Sequence, residues 1–441
     1  MPRALELALL AAVLLGTWAL SEKRWLLPNG DIDEYRAYAL AFWTGHPPLH
    51  ALPAEYPPLA IVPFSLTLLP PLGQLDQFHL VFAAWMTAVV LAGYLGFLRL
   101  AGRRRAFIYF GYLLLGAAAT IVARFDIVPA LVTLAALWAA ERGKFGYAYA
   151  LVAAGILLKL YPAFLLPVVA IAHWQVAHAQ DEDVGQRDVA DGSRLTRWLR
   201  LPAAGRVGRG IALCAGLTFA GFAGAFVLNS AGTLSAFQYA GLRPLQVEST
   251  PASLMWLGSL AGISAVPNYS FTSLNLVGPL DEPLRLLSAV ALVGGCLLAY
   301  RQQAHGRLTV GQAFVACLCV VLVTNKIFSP QYLIWVLPVV AYVEGFDWLW
   351  LAICFLTTLD YPFLYQMRHP IQTVTYSWQF LPEVALRNGL LLWATAHAIV
   401  RPTRNAARTL DAAAADTTRG GEAPEQEQRP GRTPEFAEYD V

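Results

Sequence analysis

The sequence contains few charged residues. Only 14% of its 441 residues are Asp, Glu, Lys or Arg, whereas 57% are hydrophobic. A soluble domain carries roughly 25% charged residues. This shortage, together with apolar runs of about 16–24 residues, excludes an ordinary soluble domain and predicts an all-α polytopic membrane protein. The net charge of +2 gives no indication of a nucleic-acid partner.

Motifs for metals, disulfides and nucleotides are also missing from the sequence. It contains no Gly-rich phosphate-binding loop and no Walker-type lysine. All five cysteines lie inside apolar runs without metal-ligand spacing, and we interpret them as small apolar helix residues. They are Cys214, Cys296, Cys317, Cys319 and Cys354.

What the sequence has is a series of apolar runs separated by short polar loops. Clusters of Lys and Arg in those loops set the orientation, because such clusters stay on the cytoplasmic side. The pattern predicts about twelve transmembrane helices in the plasma membrane, with both chain ends in the cytoplasm. The predicted spans are 5–20, 76–99, 106–122, 127–141, 145–159, 162–177, 210–228, 283–300, 308–323, 331–343, 347–359 and 384–400.

This orientation assigns the loops and the tail to the two sides of the membrane. Residues 1–402 form the predicted transmembrane domain, and 403–441, rich in Ala, Glu, Arg, Pro and Gly, predict a disordered cytoplasmic tail. The apolar residues 59–72 include three prolines and predict a helix at the outer interface, not a span. The long loops are the exterior segment 21–75 with its juxtamembrane helices, the cytoplasmic loop 178–208 and the exterior segment 229–281.

The first exterior segment carries an unusually polar stretch, residues 29–60, in which Asp31, Asp33 and Glu34 stand together. A carboxylate near a reacting carbon can activate a sugar hydroxyl, worth about 10²–10⁴-fold in rate. We therefore predict Asp31 and Asp33 as catalytic, and Glu34, Tyr35 and Tyr56 as substrate-binding. Alternatively, Asp31 only caps a helix. The three acids could also hold a divalent ion, although no metal-ligand spacing indicates one.

Isolated cations mark the predicted exterior ends of the spans. Ionisable residues near a bilayer are costly and usually functional, and these could hold a phosphate through charge-assisted hydrogen bonds. The alternative for each is snorkelling or a local ion pair, such as Arg124 with Asp126. The phosphate-binding candidates are Arg124, Lys159, Arg243 and Lys326. The neighbouring substrate-binding candidates are Asp126, Tyr161, Gln246, Glu248, Gln331 and Tyr332.

Several of these motifs resemble one known family. The order Gly-Asp-x-x-x-Tyr at 30–35, Gly-x-Pro at 45–47 and Tyr-Pro-Pro-Leu at 56–59 resembles the first exterior loop of the GT-C superfamily of polyprenyl-phosphate-sugar-dependent glycosyltransferases. More narrowly, it is similar to the glycosyltransferase 87 family of α-mannosyltransferase-like proteins. Further matches are Arg124-Phe125-Asp126, Leu158-Lys159-Leu160-Tyr161-Pro162, Arg243-Pro244-Leu245-Gln246-Val247-Glu248-Ser249 and Lys326-Ile327-Phe328-Ser329-Pro330-Gln331-Tyr332.

The resemblance implies a GT-C-type helical bundle that moves a sugar, with mannose expected, from a lipid phosphate to an extracytoplasmic glycolipid or polysaccharide. It also implies an aspartate base in the first exterior loop, which by position is Asp31. Our own mechanistic hypothesis is attack from the face opposite the phosphate, with inversion at the anomeric carbon, and we expect no cofactor. By position, Lys159, Arg243 and Lys326 fall where the donor phosphate would be held. The chain departs from the family where Pro48-Leu49 replaces a frequent Pro-Tyr, which alters the predicted acceptor subsite.

Two other classes of function remain open at this point. A secondary transporter or lipid flippase for a lipid-linked sugar would suit twelve spans, but it predicts internal symmetry and polar residues in mid-span. A non-catalytic assembly subunit of the cell envelope predicts that substitutions of the acids at 31–34 are silent. The polar residues instead gather at one set of span ends, which favours the enzyme.

Overall fold

The computed structural model describes residues 3–25, 30–53, 55–69, 77–191, 202–364 and 380–400. Most of them are helical. The helices are α1 Arg3–Trp25, α2 Asp31–Thr44, α3 Ile61–Ser65, α4 Phe78–Leu100, α5 Arg103–Gly116, α6 Ile127–Glu141, α7 Phe145–Leu158, α8 Leu166–Asp191, α9 Ala203–Leu228, α10 Ser230–Leu242, α11 Thr250–Leu260, α12 Asp281–Ala304, α13 Val310–Thr324, α14 Leu333–Val343, α15 Trp348–Thr358 and α16 Phe380–Val400. The predicted tail 403–441 lies outside the described residues.

Each predicted span coincides with a helix, and α6 has the bounds predicted for it. One difference is the run 106–122, where α5 ends at Gly116 and turns occupy the following residues. Four helices of the described part are long and apolar enough to cross a membrane, namely Phe78–Leu100, Tyr161–Asp181, Ala203–Leu228 and Asp281–Ala304. The chain is therefore a helical, membrane-associated protein, and the count of twelve spans and their direction stay predictions.

A small antiparallel sheet was not predicted. It consists of β1 Leu245–Gln246, β2 Val266–Ser270 and β3 Ser273–Val277, in the order β1-β3-β2. Its inner strand β3 is buried, and Gln246 pairs with Asn275 across the ladder. The sheet lies inside the predicted exterior segment 229–281 and fixes the positions of residues 245–248 beside the helical bundle.

Two short helices are almost completely buried, whereas two long helices are largely exposed. Nearly every residue of α13 and α14 is buried, as their uniformly apolar sequences require. By contrast, only 11% of the apolar stretch of α9 and of α12 is buried, and these helices expose large aliphatic side chains along their length. A helix that is apolar all round and largely uncovered by the rest of the protein is typical of a lipid-facing span.

Polar contacts join the helix ends that were predicted to be cytoplasmic. Arg103 at the start of α5 lies 3.2 Å from Glu6 of α1. Arg105 donates to the backbone carbonyl of Tyr342 (2.8 Å), and the Tyr342 hydroxyl donates to Glu141 (2.7 Å). These contacts gather the starts of α1 and α5 with the ends of α6 and α14. The candidate site lies at other helix ends, namely the starts of α2, α6 and α14 and the end of α7.

The short apolar segment 59–72 is helical as far as it is described. It forms one turn at Pro58–Ala60, then α3, then a further turn at Leu66–Leu68. The segment packs against α2, where the Arg36 guanidinium donates to the Thr67 carbonyl (3.4 Å). Residues 70–72 lie outside the described part of the chain.

Candidate active site

Helix α2 presents the acidic cluster. It begins at Asp31, and its N-cap is Gly30, without a side-chain cap. The expectation that Asp31 itself caps the helix is therefore wrong, because Asp31 is the first helical residue. Asp31 and Glu34 are three positions apart, so their side chains lie on one face of the helix. Acids in a first helical turn also suit the positive end of the helix dipole.

Asp31 forms an ion pair with Arg124 from a distant segment. The Asp31 Oδ2 atom lies 2.5 Å from Arg124 Nε, and the Arg124 side chain is only 11% exposed. Arg124 Nε also donates to Gln331 Oε1 at 3.3 Å. The alternative of a local pair with Asp126 is wrong, because Arg124 pairs with Asp31. Three predicted site residues from three parts of the chain therefore lie together.

Asp126 pairs with Lys159 instead. Its Oδ1 atom accepts from Lys159 Nζ at 2.5 Å and from Trp335 Nε1 at 2.6 Å, and the Asp126 side chain is fully buried. Four aromatic rings surround the ammonium group, which strengthens its binding through cation–π attraction. The ring centroids lie 5.8 Å from Nζ for Tyr56, 5.1 Å for Phe125, 5.1 Å for Tyr332 and 4.9 Å for Trp335. The Lys159 ammonium group is therefore in contact with three separate segments of the chain, which carry Tyr56, Asp126 and Trp335.

A stack of three aromatic rings continues from this pair. Trp335 stacks on Tyr161 with centroids 4.5 Å apart, and on Tyr332 with centroids 4.0 Å apart. The Tyr161 hydroxyl shares a hydrogen bond with Thr133 at 3.1 Å. Tyr161 is buried, whereas Tyr332 is half-buried. Only Tyr332 therefore offers part of its surface to a ligand.

Tyr35 is a core residue in this structure. Its side chain is fully buried and stacks on Phe64 with centroids 4.2 Å apart. Its ring also contacts the edges of Tyr56 and Phe125. Tyr35 therefore fixes α2 against the bundle, and half-buried Tyr56 connects this aromatic cluster to the Lys159 ammonium.

The other two acids of α2 have different surroundings. Asp33 turns toward α4, where its Oδ1 atom lies 3.1 Å from His79 Nε2. Glu34 accepts a hydrogen bond from the Tyr38 hydroxyl at 3.1 Å. Burial, and then the nearby charges of Glu55 and Asp31, raise the pKa of Glu34 from 4.5 to about 7. Glu34 therefore titrates near neutral pH.

Lys326 and Arg243 form a second cationic group. Lys326 Nζ donates to the Gly241 carbonyl (2.8 Å), and Arg243 donates to Ser273 Oγ (3.0 Å). The backbone N–H of Gln246 donates to the Lys326 carbonyl (3.0 Å), which ties β1 to the segment after α13. Burial and the positive charge of Arg285 lower the pKa of Lys326. An anion bound there would relieve this repulsion.

Tyr332 connects the two cationic groups. Its hydroxyl is within electrostatic range of Arg243 of the second group and of Asp126, Glu55 and Asp31. The structure therefore gathers the predicted residues into two neighbouring groups. The first contains Asp31, Glu34, Tyr56, Arg124, Asp126, Lys159, Tyr161, Gln331 and Tyr332, and the second contains Arg243, Gln246, Glu248 and Lys326.

A buried charge network behind the second group was missed by the sequence reasoning. Arg387 and Asp360 are fully buried and paired at 2.7 Å. Arg387 also donates to the Glu248 carbonyl (2.5 Å), and the Arg387 guanidinium lies 4.3 Å from the centroid of the Phe328 ring. Burial and the charge of Asp360 raise the pKa of Glu248 well above its ordinary value. Glu248 is therefore a buried member of this network and is not a surface ligand.

A sequence signal for this network existed. Arg387 lies within the predicted span 384–400, and an ionisable residue inside a span is a functional candidate with a partner to be found. Asp360 follows directly after another span. Neither residue belongs to the motifs that resemble the glycosyltransferase family. No local sequence pattern indicates that Arg387 and Asp360 are in contact.

The comparisons with known proteins add no homologue. No profile of a known protein family, no curated protein and no solved structure matches the chain. In the described part of the chain, no group of three or more His, Cys, Asp or Glu side chains is arranged to hold a metal ion. The fold and the composition define the class as a helical, membrane-associated protein.

Proposed function

We propose that this protein is a membrane glycosyltransferase. It moves a sugar, with mannose expected, from a polyprenyl-phosphate donor to a glycolipid or polysaccharide acceptor outside the plasma membrane. The supporting observation is the contact between Asp31 and Arg124 at 2.5 Å, next to the Asp126–Lys159 pair and the Lys326–Arg243 group. A base candidate and several cations thus share one site although they come from distant segments.

In the proposed reaction, Asp31 accepts the proton of the acceptor hydroxyl as its oxygen attacks the anomeric carbon. The bond from that carbon to the phosphate oxygen breaks on the opposite side, so the anomeric centre inverts. Polyprenyl phosphate leaves with an additional negative charge, which preorganised cations stabilise. Arg124 holds Asp31 in place through its contact with the Asp31 Oδ2 atom.

The ion pairs favour Lys326 as a direct phosphate contact, with Arg243 within electrostatic range of it. Lys159 is already neutralised by Asp126 and enclosed by rings, so a phosphate would have to displace a buried carboxylate. Arg124 is likewise occupied by Asp31. In the described part of the chain, the Lys326 ammonium group donates to a neutral acceptor, the Gly241 carbonyl, and forms no ion pair. Lys159 and Arg124 then supply positive potential at a distance.

A transfer assay tests the base. Membranes containing the full chain are given radiolabelled polyprenyl-phosphate mannose and octyl α-mannoside as acceptor. Asp31→Asn should lower the transfer rate by about 10²-fold or more, because general base catalysis is lost. Asp181→Asn, the same change in a half-exposed ion pair with Arg206, is the matched control and should transfer normally. Near-normal transfer by Asp31→Asn would remove it as the base.

The same assay tests the phosphate site. Lys326→Ala should raise the donor concentration needed for half-maximal transfer, while the acceptor dependence stays close to that of the wild type. An unchanged donor dependence in Lys326→Ala and in Arg243→Ala would show that the phosphate is held elsewhere. Movement of the intact lipid-linked sugar across vesicles, without transfer, would instead establish the transporter or flippase alternative.

The proposed topology has about twelve spans and an extracytoplasmic site, and cysteine labelling tests it. The five native cysteines are buried and free, so they contribute little background. Thr272→Cys, in the turn between β2 and β3, should react with an impermeant maleimide in intact cells. His305→Cys, in the exposed turn after α12, should react only after permeabilisation. The reverse pattern would contradict the proposed orientation.

A further inference from the structure

The side-chain amide of Gln331 has a fixed orientation in the candidate site. Its oxygen, Oε1, accepts hydrogen bonds from Arg124 Nε (3.3 Å) and from the Ser329 hydroxyl (2.8 Å). A guanidinium group only donates hydrogen bonds, so the amide atom that faces Arg124 has to be the oxygen. The amide nitrogen of Gln331, Nε2, is therefore the arm that is turned away from Arg124.

This nitrogen carries two N–H donors that no protein atom uses. In the described part of the chain, Gln331 makes hydrogen bonds only through its Oε1 atom and its backbone. Only 8% of the residue is exposed, yet Nε2 is not sealed from solvent as the buried unpartnered side-chain atoms are. A ligand bound in the site can therefore reach the amide nitrogen.

The turn Pro330–Tyr332 holds Gln331 in this position. Pro330 is the first residue of the turn, and the backbone N–H of Tyr332 donates to the Ser329 carbonyl (2.8 Å). Ser329 thus contacts the turn through its carbonyl and, at Gln331, through its hydroxyl. The free donors are presented by a rotamer that two hydrogen bonds fix, as a group that selects a ligand by geometry requires.

Asp31 and Gln331 contact the same guanidinium nitrogen. Arg124 Nε lies 2.5 Å from Asp31 Oδ2 and 3.3 Å from Gln331 Oε1. A carboxylate, which only accepts hydrogen bonds, therefore lies close to an amide whose free arm only donates them. Neighbouring hydroxyl groups of a sugar match both, since one donates to Asp31 and the next accepts from Gln331. Because Asp31 neutralises Arg124, an uncharged hydroxyl suits this place better than a phosphate.

We propose that Gln331 is a specificity-determining residue for the acceptor, whose Nε2 atom donates a hydrogen bond to a second hydroxyl of the acceptor sugar. This hydroxyl is next to the one that reacts. The proposal rests on the proposed function. The reacting hydroxyl gives its proton to Asp31 and bonds to the anomeric carbon, while the second hydroxyl stays intact and orients the acceptor. The acceptor class is thus a sugar with neighbouring hydroxyl groups, and not a simple alcohol.

Monodeoxy acceptors test this assignment. The full chain in nanodiscs is given radiolabelled polyprenyl-phosphate mannose, with octyl α-mannoside or its monodeoxy analogues as acceptors. The analogue that takes up no sugar identifies the reacting position. In the wild type, an analogue without a neighbouring hydroxyl should have a KM about 3–10-fold higher, as expected for the loss of one neutral hydrogen bond. Gln331→Met should raise the KM for octyl α-mannoside by a similar factor and leave the KM for the donor unchanged.

The combination of variant and analogue distinguishes this contact from a structural role. Gln331→Met assayed with that analogue should lose no more than either change alone, because both remove the same hydrogen bond. Ser329→Ala frees the amide to turn and should weaken the discrimination against the same analogue, so it provides a second test if Gln331→Met does not fold. Gln180→Met, the same change at an exposed position of α8, is the matched control and should behave as the wild type.

The outcomes separate this proposal from the proposed function. Losses that simply add for every analogue, in a wild type that transfers sugar, would overturn the assignment of Gln331 alone. A raised KM for the donor, with the KM for the acceptor unchanged, would also overturn it, because the amide would then bind the donor. A wild type that transfers no sugar to any acceptor would instead overturn the proposed function together with this assignment.

Discussion

Replacing Arg387 by Met should destabilise the folded protein strongly. The change removes the fully buried partner of Asp360, and it also removes the donors to the Glu248 carbonyl and to Asn388. Removing one member of a buried ion pair costs about 3–5 kcal/mol, because the other charge stays buried without compensation. The free energy of unfolding should fall by that amount, measured by chemical denaturation in one detergent.

Arg285→Met is the matched control for this prediction. It makes the same substitution in the partly exposed i,i+4 pair of Arg285 with Asp281, at 2.9 Å. Such helical pairs contribute only about 0.3–0.5 kcal/mol. A double variant, Arg387→Met with Asp360→Leu, should recover most of the lost stability, because no unpaired charge stays behind. The reasoning is refuted if Arg387→Met costs no more than Arg285→Met, or if the losses in the double variant simply add.

Three further predictions concern stability. Gly210→Ala should destabilise the folded protein, because the added Cβ would overlap the Tyr149 ring. Gly208→Ala is the control and should not destabilise it, because the space around Gly208 is open. The thermal unfolding temperatures of the two variants are compared. Thr309→Ala should cost about 1 kcal/mol in denaturation, because it removes the capping box of α13. The raised pKa of Glu34 means that the folded state loses stability as the pH rises from about 4.5 to about 7. Glu34→Gln should therefore flatten the stability profile in that interval, and an unchanged slope would contradict it.

The helices could be predicted closely because their signals are local. The run 127–141 is uniformly apolar and ends at Glu141-Arg142, and α6 has the same bounds. The run 145–159 was one residue too long, because Lys159 leaves the helix and turns its ammonium group toward Asp126. Apolar periodicity and flanking charges thus identify an element, while a tertiary contact decides its last residue.

The pairing of charges could not be predicted, because sequence proximity is a poor guide to it. Arg124 and Asp126 are near neighbours, yet each is paired with a residue from another segment. Asp360 and Arg387 carry no motif, and their contact depends on how α15 and α16 meet. The small sheet escaped prediction for a similar reason, since its strand β1 has two residues and exists only because β3 pairs with it. Motifs at the span ends therefore identified some of the charged residues of the site, and the fold determined their partners.

The unequal lengths of α12 and α13 bear on how a lipid-linked donor would reach Lys326. The helices have 24 and 15 residues and are joined by the short turn at 305–309. At 1.5 Å per residue, α12 is about 14 Å longer than α13. Lys326 follows the end of α13 and lies within electrostatic range of Asp281, Glu282 and Arg285 in the first turns of α12. Under the proposed function, a cation beside this lipid-exposed helix would be within reach of a phosphate whose lipid tail stays in the bilayer.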